Sequence, residues 1–304
     1  MTLIEPKPET IPPDPSRKET ILYNSPSDGR VMKADIYSPG CASDRPLPLI
    51  LAPHPITWTA EQDYHAGYEG FTRGYHRGYH SLADRYGVLI AMPHGHHRCE
   101  ESCSLASPEQ ITDMAFLIDH LGDFGYLVDP RRIYACGLSM GGQEALVAAG
   151  RFPEKFSAVC VFNPIVDLAA WQEDLANTKI PEIREFDTAR RIANEVGGLP
   201  KEIPTAYAER SATNYLEGLS QIPTFIFWSN LDLIVPSQIT HHGYFLYKQL
   251  KEKDITCPVS EYNHTFSHGE TEFNQHACWQ LHEWCDYELG LHWLLCHQKK
   301  SWSH

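Results

Sequence analysis

Nowhere in the 304 residues does an apolar run reach the roughly 20 residues that cross a bilayer, so no membrane span is expected. Met1–Thr20 lacks a basic start followed by an apolar stretch, so no secretory signal is expected there either. There is no internal repeat, and bias in composition is confined to the first residues. Positive charge is in short supply: 25 Lys and Arg against 39 Asp and Glu give a formal net charge of -14. A surface of that sign repels phosphate backbones and anionic lipid, so neither nucleic acid nor membrane is expected as a partner. The nine cysteines are odd in number and scattered, which fits reduced thiols and a cytoplasmic protein better than a disulfide framework.

Hydrophobic residues at 42% and charged residues at 21% describe an ordinary globular chain, long enough to bury a substantial core. Five of the first fifteen residues are proline (Pro6, Pro8, Pro12, Pro13, Pro15), so residues 1–19 read as an extended arm. From residue 20 onward, short apolar runs alternate with helical patterns. Thr20–Tyr23 and Arg30–Tyr37 flank the turn signal Ser27-Asp28-Gly29 and read as paired strands. Leu47–Ala52, Val88–Met92, Arg132–Gly137, Phe156–Val161, Thr224–Trp228 and Pro258–Tyr262 read as further strands. Arg77–Tyr86, Pro108–Leu121, Gly141–Phe152, Gln238–Glu252 and Phe273–Leu295 have helical character. Continuous apolar strands alternating with helices predict an α/β fold: a mostly parallel sheet of about eight strands with helices on both faces. Residues 164–220 interrupt the alternation and read as a helical lid inserted in a domain spanning 20–304.

Gly137-Leu138-Ser139-Met140-Gly141 fits G-x-S-x-G where a strand runs into a helix. That setting suits a nucleophilic serine. A sharp strand-to-helix turn lifts the hydroxyl above the sheet, and flanking glycines remove side chains that would clash. The helix that follows points its N-terminus at the developing oxyanion.

At these residues the chain resembles the α/β-hydrolase superfamily, and more narrowly its prolyl-oligopeptidase and dienelactone-hydrolase branch. Val128-Asp129-Pro130-Arg131-Arg132-Ile133 leads into the serine motif. Glu209-Arg210-Ser211-Ala212 is similar to that branch's Arg-Ser-Pro segment, with alanine in place of proline. Leu231-Asp232-Leu233-Ile234-Val235-Pro236 resembles its acid-bearing turn. The resemblance implies the α/β-hydrolase fold and a triad in the chain order Ser, acid, His. It points to Asp232 as the acid, with Asp167 as the rival after the preceding strand. For the base it favours His268, which is followed by Gly269, over His264. Two backbone N–H groups would form the oxyanion hole. One belongs to Met140, and the other to the loop after Leu47–Ala52. Pro55 has no N–H to give, so the second donor is assigned to Ile56.

His54, Trp58, Tyr64 and Tyr68, with His65 among them, are candidates to line the substrate pocket. His94, His96, His97, Cys99 and Cys103 are of metal-ligand type, but their spacing fits no usual zinc pattern and a triad needs no metal. They read as a polar loop near the mouth of the site, with no metal or cofactor expected. Three activities compete: a carboxylesterase, a peptidase, and a non-catalytic ligand receptor. The resemblance brings in the peptidase, but peptidases of that branch carry a large propeller for which the chain has no room. A peptidase would also need a carboxylate pair to hold a substrate amino terminus, for which Glu173 and Asp174 in the lid are candidates. The intact Ser, Asp, His order argues against the receptor. The expected partner is a small ester or a short peptide, and assembly into a homo-oligomer stays open.

Overall fold

The computed structural model describes residues 17–40, 44–54, 83–96, 103–185, 187–253, 257–263 and 287–299. Strands β1 (Arg17–Asn24) and β2 (Val31–Ser38) pair antiparallel, from Arg17 opposite Ser38 to Asn24 opposite Val31. Gly29 closes their turn at φ +74, a left-handed conformation that glycine adopts without strain. The first strand begins at Arg17, inside the segment read as an arm. Its ladder partners Ser38, Tyr37 and Ile36 hold residues 17–19 in the sheet.

Next come β3 (Leu47–Leu51), β4 (Leu89–Pro93) and α1 (Pro108–His120). Helix α1 starts where Ser107 accepts from the Gln110 N–H and where proline, lacking an N–H, suits the first helical position. Then β5 (Val128–Leu138), α2 (Met140–Arg151) and β6 (Ala158–Phe162) follow. Five helices fill the span to the next strand: α3 (Leu168–Asn177), α4 (Pro181–Glu185), α5 (Thr188–Val196), α6 (Pro204–Glu209) and α7 (Leu216–Leu219). The chain continues through β7 (Thr224–Trp228), α8 (Gly243–Glu252), β8 (Val259–Asn263) and α9 (Tyr287–Leu295).

The eight strands form one sheet in the order β1-β2-β4-β3-β5-β6-β7-β8. Only the pairings made by β2 are antiparallel; the others are parallel. Side chains alternate across the pleat. Ile133 and Ala135 of β5 face a core shared with α1, α2 and α8. Tyr134, Cys136 and Leu138 face a second core, closed by Leu291 and Leu294 of α9. Helices therefore cover both faces, as continuous apolar strands require.

Leu138, Phe162, Phe227 and Tyr262 lie in one row across β5 to β8. The loops that follow these four strands leave from one edge of the sheet, the carboxyl edge where open α/β sheets place their ligands. One helix boundary differs from the sequence reading. The helix expected from Gln238 begins at Gly243, because the Gln238 side chain is used in the preceding turn. It donates to Val235 O at 2.9 Å and accepts from the Gly243 N–H at 2.9 Å. Of the closing helix, Tyr287–Leu295 is described, and 264–286 lie outside the described residues. No helix among the described residues is long and apolar enough to cross a membrane.

Candidate active site

Ser139 stands between the end of β5 and the first residue of α2, with φ 55 and ψ -121. Positive φ in a residue with a Cβ costs on the order of 1–3 kcal/mol and persists only where the surroundings impose it. Here they do. The Ser139 N–H donates to Phe162 O at 2.9 Å, and Ser139 O accepts from Gln143 N at 3.0 Å and from Ile165 N at 3.4 Å. The elbow is thereby stitched to β6. A Cβ at position 137 would come within 2.2 Å of Gly141 O, and one at 141 within 2.2 Å of Pro53 O. Only glycine fits at either place. The second contact also shows that the chain leaving β3 passes directly against the start of α2. Ser139 is fully buried, and its Oγ makes no hydrogen bond among the described residues.

Asp232 follows β7 and is 3% exposed. Its Oδ1 accepts from Ile234 N and Val235 N, each at 2.9 Å. Two amides thus fix one carboxylate oxygen in place. Asp167, the rival acid, caps α3, its Oδ1 accepting from Ala170 N at 3.0 Å. Between the two loops lies His242, which the sequence did not single out. Its Nδ1 accepts from Val166 N at 3.2 Å and more weakly from Asp167 N at 3.5 Å. Burial, with His241 adding to it, pushes its pKa down to about 3. The ring is neutral at working pH and acts as a pin between the loops after β6 and β7.

Met140, the expected oxyanion donor, is buried at the N-terminus of α2. It belongs with Cys103, Leu105, Ile165, Trp171 and Val235 to an apolar cluster that joins the Ser139 elbow to the Asp232 turn. His54 is buried after β3, its ring edge-on to that of His94 at 5.7 Å between centroids. Glu173 is exposed on α3, and Asp174 beside it is half-buried. Ile56, Trp58, Tyr64, Tyr68, His65, His97, Cys99, His264 and His268 lie outside the described residues.

His94 and His96, after β4, differ from the expected polar loop: the structure buries them beside carboxylates. His94 Nε2 lies 3.2 Å from Asp35, which also holds Lys18 at 2.9 Å. His96 Nδ1 lies 2.6 Å from Asp113, and its Nε2 lies 3.3 Å from Asp28. Ser25 donates to the other oxygen of Asp113 at 2.5 Å. These contacts fasten the β1–β2 turn to α1. Their partners are distant in sequence, so residue spacing alone could not show them. Among the described residues, no group of three or more His, Cys, Asp or Glu is arranged to hold a metal ion.

A family model, described as the prolyl oligopeptidase family, matches residues 106–291. The acylamino-acid-releasing enzyme of Arabidopsis thaliana is 24% identical over 168 residues, covering 54% of this chain and 21% of that protein. The chain thus spans about a fifth of that relative's length. The acylaminoacyl peptidase of Pyrococcus horikoshii superposes with a TM-score of 0.65 at 16% identity, over 95% of this chain and 43% of its own. The S-formylglutathione hydrolase of Agrobacterium tumefaciens gives 0.61 at 16% identity, over 94% of this chain and 97% of its own. These two likenesses show the shared fold. With the family model covering more than half its length, the chain belongs to the prolyl oligopeptidase family, and its fold is that of the α/β-hydrolases.

Proposed function

We propose that the protein hydrolyses carboxylic esters through an acyl-enzyme on Ser139. The observation that carries this reading is the strained elbow. A buried serine hydroxyl is held at positive φ over the N-terminus of α2, at the sheet edge that also carries the fixed carboxylate of Asp232. His268 takes the Ser139 proton as Oγ attacks the carbonyl carbon, and Asp232 orients the imidazole. The N–H groups of Met140 and Ile56 receive the oxyanion. Collapse of the tetrahedral intermediate expels the alcohol, which takes the proton back from His268. Water then adds to the acyl-enzyme by the same route and releases the acid. No metal or other cofactor takes part.

A second reading, cleavage of acylated peptides, draws support from the Arabidopsis and Pyrococcus relatives, whose names describe that activity. A panel of p-nitrophenyl esters set beside acylaminoacyl and prolyl anilides separates the two. The ester reading expects the highest kcat/KM on an ester. An anilide at the head of the panel would replace it with the peptidase reading.

A further inference from the structure

Leu105 and Ala106 are consecutive non-glycine residues at φ 42 and φ 53. Two adjacent left-handed residues cost a few kcal/mol together unless the surroundings hold them. Three buried polar residues outside the triad supply the hold. Arg210 Nη1 donates to Ser104 O at 2.9 Å and to Leu105 O at 3.4 Å. Gln143 Nε2 donates to Arg210 O at 2.8 Å and to Leu105 O at 3.4 Å. Glu144 accepts from the Ser104 hydroxyl, from the Ala106 N–H at 3.4 Å and from Gln110 Nε2 at 3.1 Å.

Gln143 and Glu144 belong to α2, the helix that opens at the nucleophile. Arg210 directly follows α6. All three side chains are buried, where imperfectly matched polar groups are expensive. A surface loop would not need such an arrangement. What it holds is the pair Cys103 and Leu105, both fully buried and both members, with Met140, of one apolar cluster.

We infer that Arg210 and Glu144 are positioning residues for specificity: they clamp segment 103–107 so that Leu105 forms the wall that limits chain length next to Met140. This rests on Ser139 being the nucleophile, but not on whether the natural substrate is an ester or a peptide. Breaking the clamp lets the backbone leave its strained conformation. Leu105 then withdraws from Met140, and a longer chain gains room.

The test uses two alkyl fluorophosphonates, one with an ethyl and one with a decyl chain, and follows Ser139 labelling rates by intact mass. Arg210→Met raises the decyl-to-ethyl rate ratio by about tenfold, the scale of a change in apolar pocket fit. Leu105→Ala raises the same ratio. The double variant matches Leu105→Ala to within about twofold, because both changes act through one side chain. Glu144→Leu shifts the ratio in the same direction, and Glu144→Gln, which keeps an oxygen for Ser104 and Ala106, shifts it less. It also serves if Arg210→Met does not fold. A uniform loss with both probes and an unchanged ratio overturns the inference, as do effects that simply add in the double variant. Failure of the ethyl probe to label wild-type Ser139 removes the proposed nucleophile and this inference with it.

Discussion

The indole Nε1 of Trp171 donates to the carbonyl of Ile234 at 2.7 Å, tying α3 to the turn that holds Asp232. Ile234 gives its own N–H to the Asp232 carboxylate, so one peptide segment is gripped from both sides. Trp171→Phe keeps most of the buried ring but leaves that carbonyl without its donor. It should cost about 1–2 kcal/mol in urea unfolding. It should also lower kcat by roughly tenfold through a displaced acid. Full activity in a destabilised variant would show that the turn does not depend on α3.

Ser139 gives a prediction in which activity and stability part ways. Ser139→Ala and Ser139→Gly should both lose at least about three decades of turnover. Glycine should nonetheless be the more stable variant by about 1 kcal/mol, because φ 55 strains any residue with a Cβ. Urea midpoints of the two variants decide it. Equal midpoints would mean that the elbow carries no strain.

His242 makes stability depend on acid. Its folded pKa of about 3 lies below the ordinary histidine value of 6.5, so in that window the unfolded chain binds a proton that the folded one refuses. Stability is therefore fully present above pH 6.5 and falls as the pH drops toward 3. The slope from this one group approaches about 1.4 kcal/mol per pH unit. His242→Asn offers Oδ1 to Val166 and Asp167 and cannot titrate, so its urea midpoints should fall less steeply between pH 6.5 and 4. Parallel profiles for the two proteins would assign the acid sensitivity elsewhere.

The base is tested by a pair of variants. His268→Ala should lose roughly three decades of kcat, whereas His264→Ala should lose less than about tenfold. In the wild type, kcat/KM should fall on the acid side with a midpoint around 6–7. The reverse ranking would move the base to His264 and leave the rest of the mechanism in place.

Much of the fold could be read from the sequence because its strands are continuous apolar runs. Leu47–Leu51 and Thr224–Trp228 admit little else, and Gly137–Gly141 marks the point where strand becomes helix. What stayed hidden depends on residues far apart in the chain. Glu144 sits in an alanine-rich helix and Arg210 follows α6, and nothing local announces that both converge on Ser104. His242 looked like one of seventeen histidines, because its partners are backbone N–H groups that no motif records. The start of α8 is hidden in the same way, since the Gln238 side chain is used in the turn before it.

Helix α2 is buried along its length from Met140 to Gly150, whereas a helix of this size ordinarily keeps one face in water. It lies among β5, β6, α1, α7 and the turn at Ala212–Tyr215. The hydrogen-bonded amide protons of its later turns, from Leu146 to Gly150, should therefore exchange with solvent mainly when the domain opens as a whole. The helix that starts at Ser139 is thus expected in the slowest-exchanging part of the molecule, where protection of its later turns would report the global unfolding free energy.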